Sequence, residues 1–336
     1  MKKVFTTVHQ KVAKTGMRPV INKPQTGICA ETSLHGLVLL LNSKPGQLDS
    51  LREKLSGFPE LVTNLDQRFS EALLSVVMAF GTECWNQLWP AHRPRQLATF
   101  PEIADSHYVL QATDFDMVIV LRSDRADCNY FAGRVLLEWL APDVWLQHEQ
   151  PLFHYLDNRN LFGFPCVPDN PHGRLRREVA LLNDEDDELL AQGSYLYLQQ
   201  YELDIKAWQA LTVEKQRQIM GREKVSGKFW PGDQPGHARK ASLALSDPGN
   251  PVLVWQQLPA ADMRNQRQLD LLWSRSPAAM QKWLKRRFVP DRDGYCDPLL
   301  DYMQSNLNAA FFAPPLNWFK RTSEQTEQTT PAQTEL

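Results

Sequence analysis

The chain has 336 residues, more than one hydrophobic core usually organises, so two domains are expected. Its balance of 43% apolar and 23% charged residues is that of an ordinary globular protein, and a net charge of −2 excludes the basic footprint of a nucleic-acid binder. No apolar run is long enough to span a bilayer, and the opening MKKVFTTVHQKVAKTG has a leader's positive charges without the apolar segment that should follow, so a cytoplasmic protein is expected.

Residues 1–24 show no clear periodicity and are expected to form an arm that packs on a neighbour or stays mobile. A first domain, 25–150, opens with a strand predicted over Ile28–Leu41. A helix follows over Gln47–Ser56, then strands at Leu74–Phe80 and in DMVIVLRSD. In the helix CNYFAGRVLLEWLA, Tyr130, Val135, Leu136 and Trp139 fall near one face.

Residues 158–179, NRNLFGFPCVPDNPHGRLRREV, read as a long irregular loop because Gly163, Pro165, Pro168, Pro171 and Gly173 punctuate it. Such loops between apolar domains usually carry function, and Asp169, Asn170 and His172 are placed to point into a site.

A second domain, 151–320, repeats the pattern. It has a strand in GSYLYLQQYELD, helices at Ile205–Ala210 and Thr212–Met220, and strands at Val252–Gln257 and Leu269–Trp273. The helix Pro277–Phe288 and a final strand in AAFFAP complete it. The acidic run NDEDDE at 183–188 reads as a solvated loop. KWLKRRF at 282–288 reads as the outer face of a helix, with Trp283 and Leu284 inward. The Thr/Gln/Glu-rich segment 321–336 is expected to be disordered. Strand–helix order, run through twice, predicts an α+β chain of two ferredoxin-like domains with antiparallel sheets, of the dimeric α+β barrel type.

The five cysteines, Cys29, Cys84, Cys128, Cys166 and Cys296, are scattered and form no C-x-x-C pair, which argues against a disulfide framework or a structural zinc site.

Short motifs run through the chain in a fixed order. They are Gln25-Thr26-Gly27-Ile28, then Ala79-Phe80-Gly81 followed by Trp85, then Gly163-Phe164-Pro165-Cys166-Val167-Pro168-Asp169-Asn170-Pro171. Arg176-Arg177-Glu178-Val179, Gly193-Ser194-Tyr195, Gly221-Arg222-Glu223-Lys224 and Phe311-Phe312-Ala313-Pro314 follow. In this order and spacing the sequence resembles the dye-decolourising (DyP-type) haem peroxidases over roughly residues 25–319. The resemblance implies haem b as cofactor, hydrogen peroxide and a small-molecule reductant as substrates, and a possible homo-oligomer. It places the axial iron ligand on His237, in QPGHARKASLAL. Asn170, Arg222 and Arg239 are candidate cofactor contacts. Arg174, Arg176 and Arg177 are further cations suited to propionates.

The catalytic centre departs from the family pattern. In G-x-x-D-G the aspartate falls on Cys166 and the second glycine on Val167. The strand arginine falls on Trp255, in Val254-Trp255-Gln256-Gln257-Leu258-Pro259. Peroxide cleavage needs a proton relay and a stabiliser of developing charge. A thiol with an ordinary pKa near 8.5 and a neutral indole supply neither. Asp169 and His172 are the nearest substitutes for the lost base. Three readings stay open: a weak peroxidase, a non-catalytic haem or porphyrin binder, and a haem-free assembly or interaction module on the same fold.

Overall fold

The computed structural model describes residues 21–31, 33–232, 235–245 and 250–320. The expected disorder of 321–336 and most of the expected arm lie outside them. Residues 21–24 pack on the chain's own end: the Lys23 amide donates to Asn317 Oδ1 at 2.9 Å, and its carbonyl accepts from the Leu316 amide at 2.8 Å.

The first half contains β1 (His35–Ser43), α1 (Leu48–Leu55), α2 (Phe58–Arg68), β2 (Ser75–Phe80), α3 (Thr82–Leu88), β3 (Met117–Ser123), α4 (Ala126–Leu140) and β4 (Val144–Phe153). A short helix, α5 (Gly173–Ala180), stands between the halves. The second half contains β5 (Ser194–Leu203), α6 (Ile205–Gln209), α7 (Val213–Met220), α8 (His237–Lys240), β6 (Val254–Pro259), β7 (Arg267–Ser274), α9 (Pro277–Phe288) and β8 (Met303–Ala313).

The sheet order is β4-β1-β3-β2-β8-β5-β7-β6. Numbered within each half, both read 4-1-3-2, and nearly all neighbours pair antiparallel in long registers. The repeated ferredoxin-like unit is therefore present twice, as the element order predicted. The halves join into one sheet through β2 and β8, where Phe80 pairs with Phe312. One face of the sheet carries an apolar layer built from Val38, Val77, Leu196 and Leu271 among others, and the other is covered by the helices.

Several boundaries differ from expectation. Ile28 closes a 3₁₀ turn (Thr26–Ile28), and β1 begins only at His35. Strand β4 was not anticipated: its burial alternates poorly and its polar run QHEQ masks the strand pattern. The stretch 158–179 is not wholly irregular, because α5 starts at Gly173, the last of the breakers, and runs through the RLRREVA segment.

The aromatic residues at the end of the chain fill the first half. Trp318 stacks on Trp85 at 5.6 Å, and Phe319 lies 4.8 Å from Phe58. Among the described residues no helix is long and apolar enough to cross a membrane.

Candidate active site

His237 is positioned by a close backbone approach. Helix α7 ends at Gly221, which takes φ +69°, and Gly236 lies against it. A Cβ on Gly236 would stand 2.7 Å from the Gln218 carbonyl oxygen and 2.8 Å from Gly221 Cα, so only glycine permits the approach. His237 follows at once as the first residue of α8. Its ring is buried and Nδ1 donates to Asp297 Oδ2 at 2.8 Å. The same oxygen accepts from Arg287 Nε at 2.8 Å.

Asp297 and Arg287 are both fully buried. Burial alone would raise the Asp297 carboxyl, but attraction to His237 and Arg287, with their hydrogen bonds, holds it well below the usual carboxylate range. Neither residue was foreseen. Asp297 carries no sequence signal beyond starting a 3₁₀ turn. Arg287 corrects the outer-face reading of KWLKRRF: Met280, Trp283, Leu284 and Arg287 share one helical stripe at i, i+3, i+4 and i+7, and all four are buried.

The loop bearing Cys166 is tied down by its own backbone. The Cys166 amide donates to the Asn158 carbonyl at 2.8 Å, and the Phe164 amide donates to Asn160 Oδ1 at 3.0 Å. Val167, on the family's second glycine, keeps a left-handed backbone at φ +31°, which a β-branched residue adopts only under strain. Asn170 docks the loop on β6: its Oδ1 accepts from the Trp255 amide at 3.0 Å, and its Nδ2 donates to the Trp255 carbonyl. Asn170 thus sets the Trp255 backbone.

Two clefts flank this loop. One, of about 40 Å³, is lined by His237, Val167, Asp169, Arg222, Leu243 and Trp255 among others. The other, of about 130 Å³, is lined by Cys166, Asn170, His172, Arg122, Arg176 and Trp255 among others. The fold therefore brings His237, Cys166, Trp255, Asp169, Asn170 and Arg222 together. Arg239 is left out: it is exposed and lines a separate groove with Lys215 and Tyr295. Asp169 pairs with the buried Arg222, whose guanidinium also lies 4.3 Å over the Phe229 ring.

On the Trp255 side the chemistry is altered. Burial, then the nearby Asp270, pushes the Cys166 thiol up to about 12, so it stays protonated at neutral pH. Asp270, on β7 and fully buried, is pushed up to about 7 by burial, with Arg287 opposing. Its Oδ1 accepts from Gln268 at 2.8 Å, and the Trp255 indole faces the carboxyl as a further donor. Asp270 pairs in register with Gln257, two residues from Trp255 on the same face of β6. An acidic residue interrupting the apolar alternation of RQLDLLWS was the available signal.

The residues fit haem on the axial side. Nδ1 of His237 is held by a buried carboxylate, which leaves Nε2 as the ligand atom, and the ring borders a cleft. Across the cleft the fit requires movement. The Trp255 ring packs edge-on to the His237 ring, with centroids 6.0 Å apart. A macrocycle held by Nε2 would need the indole to turn aside, away from its contact with the Asp270 carboxyl.

Family models for the N-terminal and C-terminal domains of Dyp-type peroxidases match residues 25–153 and 157–318. The chain belongs to the Dyp-type peroxidase family. It is 27% identical to the dye-decolorizing peroxidase of Mycolicibacterium paratuberculosis over 296 residues, covering 87% of this chain and 83% of that protein. A dyp-type peroxidase structure from Shewanella oneidensis superposes with a TM-score of 0.85 at 27% identity, over 90% of this chain and 99% of that one. A DypB variant of Rhodococcus jostii RHA1 in complex with heme shares the fold, with a TM-score of 0.81 at 23% identity over 88% and 97% of the two chains. Within the family, hydrogen peroxide and a reductant are the substrates.

Proposed function

We propose that this Dyp-type family member binds haem b through His237 and consumes hydrogen peroxide with a small-molecule reductant, at a turnover far below that of a member with the distal Asp and Arg. The buried Asp297–His237 pair carries the reading, since a histidine with its second nitrogen fixed by a carboxylate is what axial ligation requires. Bound haem would supply the redox chemistry that splits the O–O bond. The chain's own residues do the rest. Asp297 fixes the His237 tautomer and ring plane. Arg287 shares the same carboxylate oxygen and draws charge from it, which lessens what Asp297 lends the imidazole. Cys166 keeps its proton near neutrality, and Trp255 offers a neutral N–H. Asp169 is engaged by Arg222 and is not free to act as the substitute base.

The packing of the Trp255 ring against His237 favours a second reading, a haem-free assembly or interaction module. Haemin titration of the wild type and of His237→Ala, followed by visible absorbance, separates the two. Stoichiometric binding lost in His237→Ala supports the first; no saturable binding to the wild type supports the second. In the loaded protein, Cys166→Asp with Trp255→Arg should raise dye oxidation by more than the product of the two single gains, because both groups act in one transition state. A double variant no faster than the wild type at full haem content would refute the distal assignment.

Five free thiols suit a reducing, cytoplasmic setting. The exposed Trp145 and Leu146 on the sheet-edge strand β4 suit self-association, checked by sedimentation.

A further inference from the structure

The cleft of about 130 Å³ contains two buried cations that form no ion pair among the described residues. Arg122, on β3, is 3% exposed and Arg176, on α5, is 4% exposed. All their hydrogen-bond acceptors are backbone carbonyls. Arg122 donates to Glu31 O at 2.7 Å and to Ala30 O at 3.4 Å. Arg176 donates to Cys29 O at 3.1 Å, to Pro171 O at 3.3 Å and to Ala30 O at 2.8 Å. The Ala30 carbonyl also accepts from Gln256 Nε2 at 3.1 Å. Three donors thus crowd one acceptor that has two lone pairs, while Arg122 Nε is buried with none.

Burying a guanidinium is costly unless a charge offsets it, and two of them close enough to repel compound the cost. Helix α5 adds to the positive field. Its N-cap, His172, lines the cleft, makes no side-chain cap, and no acidic residue follows in the first turn. The one carboxylate nearby, Glu31, is largely exposed and lies 3.4 Å from His172 Nδ1.

We propose that this cleft binds a small molecule bearing a carboxylate, its oxygens between Arg122 and Arg176 and its apolar body against Val167 and Leu258. Guanidinium forks match a planar carboxylate, and the remaining walls are apolar enough to hold a ring. The site rests on its own charges rather than on haem. An occupant there would lie beside Cys166.

The test is calorimetric titration of the full, haem-free chain with benzoate, with benzamide as its neutral isostere and inorganic phosphate as the alternative anion. Benzoate should bind saturably, and benzamide should bind about tenfold more weakly or worse. Arg176→Gln should weaken benzoate by about tenfold, and Glu31→Gln, an exposed change, should tighten it a few-fold. Benzamide binding as well as benzoate, phosphate binding more tightly, indifference to Glu31→Gln, or no saturable binding would each overturn the proposal. If Arg176→Gln fails to fold, the benzamide comparison and Glu31→Gln still decide. Because no haem is used, a failure here leaves the His237 reading standing, and the reverse also holds.

Discussion

The two halves of the molecule share one strand order and differ in what they place under their helices. In the first half the helix-facing sheet positions are apolar throughout: Leu37, Leu39 and Leu41 on β1, Val76, Met78 and Phe80 on β2, and Met117, Ile119 and Leu121 on β3. In the second half the corresponding layer includes Tyr201, Trp255 and Asp270, with Arg287, Asp297 and His237 packed over it. The same backbone thus serves once as an oil-like core and once as a site. Buried polar groups meet one another there, Asp270 with the Trp255 indole and Tyr201 with Arg287. Native cores rarely gather so many buried polar groups, and functional sites are where they do.

The sharpest way to break this comparison is to remove the group that balances the second half. Asp297→Ala leaves Arg287 buried without its carboxylate and should cost about 3–5 kcal/mol in urea unfolding. Pairing it with Arg287→Leu should recover much of that loss. If Asp297→Ala costs no more than a surface change, the buried network does not bear on stability.

Asp270 should behave in the opposite sense. Its folded pKa is raised to about 7, so the folded state holds its proton where the unfolded chain has released it. Stability should therefore fall as pH rises from about 4 to about 7, and level off above. Asp270→Asn should flatten that slope and stabilise the protein by a few kcal/mol at pH 8 but little at pH 5. Equal effects at both pH values would show that Asp270 does not titrate there.

A first-half change of similar volume, Met78→Leu, should cost less than about 1.5 kcal/mol and show no such pH dependence. Val167→Gly relieves a left-handed valine and should stabilise by about 1 kcal/mol, read as a higher urea midpoint with unchanged slope.

The architecture was legible because periodicity records burial. The β-branched run of β3, the alternation of Tyr195, Tyr197 and Gln199 against Leu196 and Leu198 in β5 and the apolar period of α9 identify their elements directly, and the second pass through the same order gives the duplicated fold. The polar strand β4 was not legible, since little of it is buried. Within the site, His237, Cys166 and Trp255 were found by motif position, and Arg222 and Asn170 join them in space. Arg239 does not, because one step beyond Ala238 the short helix α8 turns its side chain to solvent. Asp297 lies 60 residues from His237, and its pairing comes from tertiary packing that no local pattern encodes. Arg287 and Asp270 were readable in principle, as charges on apolar stripes. They were passed over because a charge is usually taken to mark a solvent-facing position.

The packing of Trp318 and Phe319 against Phe58 and Trp85 sets a schedule for the ribosome. The first half cannot close its own core while its missing aromatic residues remain unsynthesised, some 260 positions downstream of Phe58 by simple numbering. Until then Trp85 and its neighbours stay open to solvent and to other chains. The first half completes its core only with residues made after the second. A chain cut short of Trp318 should leave Trp85 and Phe58 partly uncovered, read as lower stability and a greater tendency to aggregate.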